Sequence, residues 1–155
     1  MLNVFQERRV MSEEVQKLED MLMQHRELFA EDELKATFPR LVSFVTQTEQ
    51  AMAASGNTSG ARFAVDEGLV EGLVREFSSA WKTGIQQIND DVLNYFANFR
   101  NGMEILKQVL TQLLLYYTRF QDIIKKSFAR PPVFTKDLVS TNVILQEIKR
   151  YSRTF

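Results

Sequence analysis

Few side chains in this sequence have the type and spacing that chemistry needs. The single histidine, His25, follows Leu18 and Leu22 and precedes Phe29 at steps of three and four residues. That spacing puts it on the apolar stripe of a helix, where an imidazole more often packs than transfers protons. Asp90 and Asp91 are consecutive, so they diverge around a helix and make a poor chelate. No Glu-x-x-His pair is present, and carboxylate-bridged metal sites of helical bundles therefore lack their imidazoles. Gly56-Asn57-Thr58-Ser59-Gly60 has neither the lysine nor the preceding strand of a phosphate-binding loop. With no cysteine, disulfides, thiolate metal sites and cysteine nucleophiles are excluded, and an intracellular compartment is favoured. These residues point away from an enzyme and imply no cofactor and no metal.

Charge is the more informative chemistry. The net charge of −1 hides an asymmetry: residues 1–118 carry 11 Lys and Arg against 17 Asp and Glu, whereas residues 119–155 carry 8 against 3. Within the basic end, Lys125, Lys126, Arg130, Lys149, Arg150 and Arg153 would form a patch for an acidic partner or anionic lipid if folding brings them together. Nucleic-acid binding is not expected, because the chain as a whole is slightly acidic. Asn98-Phe99-Arg100-Asn101-Gly102 supplies a second candidate contact, with Arg100 and Asn101 as its polar residues.

The elements that position these groups are helices. Val4, Met11, Val15, Leu18, Leu22, His25 and Phe29 trace one face of an amphipathic helix, with Ser12 followed by Glu13 and Glu14 as its predicted start. That helix reaches Thr37, and Pro39 opens a second running past Val45 to Met52. Residues 54–62 are small, polar and glycine-rich and read as a loop. From Asp66, a predicted N-cap, apolar residues recur every three or four positions from Val70 to Ile124. Phase alone allows a single helix, since one glycine inside it costs only about 1 kcal/mol. The stripe is wide, however: Tyr95 adjoins Phe96, and Leu114 adjoins Leu113. A wide stripe needs neighbours on several sides, so a reversal is predicted at Arg100–Gly102, with Asn101 and Gly102 ending the first helix. Arg100 would then complement the carbonyl end of that helix. Pro131 and Pro132 force another break, after which Thr135 is the predicted cap of a last helix carrying Leu138, Val139, Leu145 and Ile148.

At 155 residues, 45% apolar and 25% charged, the chain is expected to fold as one all-α, antiparallel bundle of about five helices over residues 1–155. No run approaches the roughly 20 apolar residues of a membrane span. The N-terminus is amphipathic from its first residues and lacks the pattern of a signal peptide, as expected for a piece of a longer chain.

Residues 66–128 carry more than periodicity. Ser79-Ala80-Trp81-Lys82, Asn98-Phe99-Arg100-Asn101-Gly102, and Leu110-Thr111-Gln112-Leu113 leading to Tyr117 and Phe120 resemble the carboxy-terminal region of the vacuolar protein sorting-associated protein 52 family. Phe38-Pro39-Arg40-Leu41 is similar to the helix that precedes it in that family, and the ending Glu147-Ile148-Lys149-Arg150-Tyr151 to its terminus. The resemblance implies a non-catalytic domain like the carboxy-terminal helical domains of multisubunit tethering complexes, here the Golgi-associated and endosome-associated retrograde complexes (GARP and EARP). It implies as partners the other tethering-complex subunits, a Rab-family small GTPase and SNARE proteins. The implied location is cytoplasmic and peripheral on trans-Golgi network and endosome membranes. From the residues alone, the competing reading is a lipid- or membrane-surface-binding helical protein using the basic end.

Overall fold

Helix signals set the boundaries. The computed structural model describes residues 4–56, 64–96 and 98–153, with the side chains of Phe5, Phe99, Ser152 and Arg153 outside that description. It contains five α-helices, α1 (Val4–Thr37), α2 (Pro39–Ala54), α3 (Glu67–Tyr95), α4 (Phe99–Ser127) and α5 (Thr141–Arg153). A short 3-10 helix, Val133–Asp137, joins the last two, and no strand occurs among the described residues. The all-α bundle expected from periodicity is the fold observed.

Several boundaries follow the local chemistry read above. Phe38, at a non-helical φ of −130° and ψ of 57°, separates α1 from α2, and Pro39 takes the first position of α2, where its missing N–H costs nothing. The Asp66 carboxylate accepts from the backbone N–H of Leu69 and caps α3. Helix α2 ends through Ser55 at Gly56, whose φ of +78° is left-handed and suits glycine. Most of the predicted 54–62 loop, residues 57–62, lies outside the described residues.

Three boundaries differ from expectation. Helix α1 does not begin at Ser12 but is already helical at Val4, since nothing between them breaks a helix. The reversal between α3 and α4 exists, but it lies at Phe96–Asn98 rather than Arg100–Gly102. Thr135 sits inside the 3-10 helix, where its hydroxyl donates to the Pro132 carbonyl; α5 starts six residues later, and the Ser140 hydroxyl accepts from the Asn142 backbone N–H.

Helix α4 is the axis of the molecule and touches α1, α2, α3 and α5. Its wide apolar surface has that purpose: Ile105, Leu106, Val109, Leu110, Leu113, Tyr116, Tyr117, Phe120 and Ile123 are all buried. Helix α3 runs antiparallel to it. Phe77 stacks on Tyr117 at 4.5 Å between centroids, and near the reversal Gly102 approaches Val92. Helix α2 contributes Phe44, edge-on to Phe120 at 5.7 Å. The Tyr117 hydroxyl donates to the Val139 carbonyl at 2.7 Å and ties the segment before α5 to the core. Burial pushes that phenol up to about 12. Trp81, Leu110, Leu113 and Phe120 occupy the core as their phase predicts, Phe96 is half-buried, and Phe99 lies outside the described side chains.

Candidate interaction surfaces

The Phe96–Gly102 corner is built by extended backbone, not by a left-handed glycine. Phe96 (φ −117°, ψ 111°) and Asn98 (φ −85°, ψ 115°) carry the chain around. The Asn98 side chain then accepts from the Asn101 backbone N–H at 3.2 Å, capping the start of α4. Gly102 is an ordinary helical residue whose N–H donates to the Asn98 carbonyl at 2.9 Å. Arg100 is therefore in the first turn of α4, at the positive rather than the carbonyl end of a dipole, and is exposed. The side chain of Asn101 turns inward to the bundle, where its Oδ1 accepts from Arg26 at 2.7 Å. Arg26 also pairs with Glu104 at 3.2 Å, so this cluster clamps α1 to the beginning of α4.

The basic residues are not brought together. Lys125 and Lys126 fill the last turn of α4, with Arg130 just beyond it, and all three are exposed. Helix α5 runs antiparallel to α4, from Thr141, which donates to Gln121, toward Tyr151, which donates to Gln86 of α3. Lys149 and Arg150 consequently lie roughly 20 Å along the bundle from Lys125, at 1.5 Å per residue. Lys126 pairs with Asp122 at 2.9 Å and Arg150 with Glu147 at 3.6 Å, which dilutes each group further. The Arg153 side chain lies outside the described residues. Lys125 borders a groove of about 470 Å³ with Ile124, Phe128, Pro131, Thr135 and Leu138.

The buried chemistry is elsewhere, at a residue the sequence reading did not single out. Glu33 of α1 is 7% exposed, and burial first, then its hydrogen bond to Asp91 of α3, push its carboxyl up to about 8. The same hydrogen bond, with Gln87 assisting, lowers Asp91. The opposed shifts, Glu33 up and Asp91 down, favour a proton on Glu33 and couple α1 to α3. Position could have flagged it, since Glu33 lies between Ala30 and Leu34 on the buried face of α1. His25 is exposed, contrary to the packing role its spacing suggests. Among the described residues, no group of three His, Cys, Asp or Glu could hold a metal, and no helix is long and apolar enough to cross a membrane.

Helix α1 carries a run of exposed apolar residues, among them Met11, Val15, Leu18 and Leu22. Its contacts with the bundle include Arg26, paired with Glu104, Phe29, edge-on to Phe96 at 5.1 Å, and Glu31, which accepts from the Tyr116 hydroxyl at 2.9 Å. Every described side chain from Val4 to His25 is exposed, so the first two-thirds of the predicted apolar stripe faces outward.

Known sequences identify the chain. It is 40% identical to vacuolar protein sorting-associated protein 52 A of Arabidopsis thaliana over 137 residues, which is 88% of this chain and 19% of that protein. Against the vacuolar protein sorting-associated protein 52 homolog of Homo sapiens it is 32% identical over 156 aligned positions, 100% of this chain and 21% of that protein. The chain belongs to the vacuolar protein sorting-associated protein 52 family. The Caenorhabditis elegans homolog is 27% identical over 128 residues, 82% of this chain and 18% of that protein. The chain thus spans about a fifth of the length of the family members it matches. No family model and no solved structure matches it. Within this vacuolar protein sorting-associated protein 52 region, Trp81 of the Ser79–Lys82 group is a core residue, and Asn98–Gly102 is the capped corner between α3 and α4.

Proposed function

We propose that this chain is a non-catalytic interaction domain of a vesicle-tethering subunit, from the carboxy-terminal region of the family, acting in retrograde transport from endosomes to the trans-Golgi network. The observation that carries the reading is the 32–40% identity to proteins named for vacuolar protein sorting, over 88–100% of the chain. The all-helical fold supports it, since the chain spends its chemistry on packing and leaves its polar groups on surfaces. In this reading the domain works within a GARP or EARP assembly, peripheral to trans-Golgi network and endosome membranes, and offers a surface to a Rab-family GTPase or a SNARE protein.

The test is direct. The purified chain, immobilised, is exposed to Rab-family GTPases loaded with GTP analogue or GDP, and to isolated SNARE helices. Nucleotide-dependent retention of a GTPase, or saturable retention of a SNARE, is the expected result. Retention of neither class overturns the assignment of this region as their contact.

A further inference from the structure

The outward face of α1 is organised rather than merely greasy. Met11, Val15, Leu18 and Leu22 follow the 4-3-4 spacing of a coiled-coil seam, and each is between 51% and 68% exposed. Met21 and Leu28 widen the seam along one side at 53% and 62% exposure. An apolar stripe of this size, two-thirds of a long helix, is more than a soluble surface leaves bare without use. Carboxylates predominate along its edges. On the opposite face Arg9 pairs with Glu13 at 3.5 Å and Gln16 donates to Asp20 at 3.1 Å, so those groups satisfy one another. Beside the seam stand Glu7, Glu14 and Glu19, which make no ion pair among the described residues; Arg8 lies on the seam line between Val4 and Met11, and the cation at the other end, Arg26, is held by Asn101 and Glu104.

We infer that residues 4–28 form a docking seam for an amphipathic helix of another polypeptide, one whose own apolar seam is flanked by Lys or Arg. The inference deepens the reading of the chain as an interaction domain and rests on it. Acidic flanks select basic ones, because charges beside a coiled-coil seam set the choice of partner. A second copy of this chain in parallel would bring Glu14 opposite Glu19 twice over. An anionic membrane prefers Lys and Arg beside the apolar face, the reverse of what α1 presents.

The experiment uses the whole chain and two synthetic helices of about 28 residues, both with leucine at seam positions, one with lysine and the other with glutamate at the flanks. Fluorescence anisotropy should show the lysine peptide binding at least about tenfold more tightly, with the advantage shrinking as salt rises. The double variant L18Q/L22Q should lose at least about tenfold in affinity and keep the urea midpoint of the parent, because both side chains are already exposed. The charge-reversed E14K/E19K should prefer the glutamate peptide. Equal binding of the two peptides, binding of neither, or no reversal by E14K/E19K overturns the proposal. So does a dimer of the chain alone that L18Q/L22Q dissolves, or capture by phosphatidylserine vesicles that the same variant abolishes. No GTPase or SNARE enters this assay, so its failure is separate from failure of the tethering reading.

Discussion

Gly84 and Gly102 are both helical, yet a methyl group added to each should act with opposite sign. At Gly84 the new Cβ would meet the Phe38 ring, with Cε2 at 2.8 Å and Cε1 at 2.9 Å. That ring packs 5.6 Å from Phe77 between centroids, beside a cavity of only about 40 Å³, so it must shift within a buried cluster. Overpacking of about 1–3 kcal/mol should exceed the gain of about 1 kcal/mol in helix propensity, so Gly84→Ala should lower the urea midpoint. At Gly102 the Cβ meets Phe96 Cβ at 3.6 Å and Val92 Cγ1 at 3.8 Å, both ordinary contacts. Gly102→Ala should therefore raise stability, by up to about 1 kcal/mol. Asn98→Ala should cost about 1 kcal/mol through loss of the cap on α4. The three urea melts together test where the corner lies: a destabilised Gly102→Ala with a neutral Asn98→Ala would move it back to the glycine.

Between elements, the α1–α3 seam holds a proton whose loss can be measured. Glu33 titrates above its ordinary value, so the protonated form is favoured in the folded state. Its contribution is complete below the usual value of 4.5 and is lost as pH rises through about 8. Asp91, shifted down, contributes in the opposite sense, and its share is lost only as pH falls below the ordinary 3.8. Relative to Glu33→Gln, the parent should lose stability from about pH 5 to pH 8 and then run parallel to it; a constant difference across that range would remove the shared proton from the account. The helices themselves were largely legible, because Pro39, Asp66 and Pro131-Pro132 punctuate the chain chemically and the period of 3.6 does the rest. The corner was displaced by several residues for a physical reason. Val92, Phe96, Phe99 and Met103 keep helical spacing through it, and the cap that ends the ambiguity is Asn98, one polar residue in an apolar rhythm. The candidate sites were less legible, since whether Lys125 and Lys149 converge depends on the direction of α5, which periodicity does not encode.

At the scale of the whole molecule, α1 divides at Arg26 into an exposed part and a bundled part. The core cluster begins at Ala30, with Phe29 packed against it. Deleting residues 1–22 should leave the unfolding free energy from urea melts within about 0.5 kcal/mol of the parent, the usual effect of changes away from packed features. A cooperative loss of several kcal/mol would instead mean that the bundle leans on that segment. Because Val4 to His25 is about 22 residues of unbroken helix, it stands roughly 33 Å off its anchor. An arm of that length has leverage. A tilt of about 10° at the Arg26–Asn101–Glu104 clamp sweeps the far end through about 6 Å, more than one helical turn. Small shifts where α1 meets the bundle, at Phe29, Ala30 and Leu34 as well as at the polar clamp, thus become large displacements at the tip of the arm.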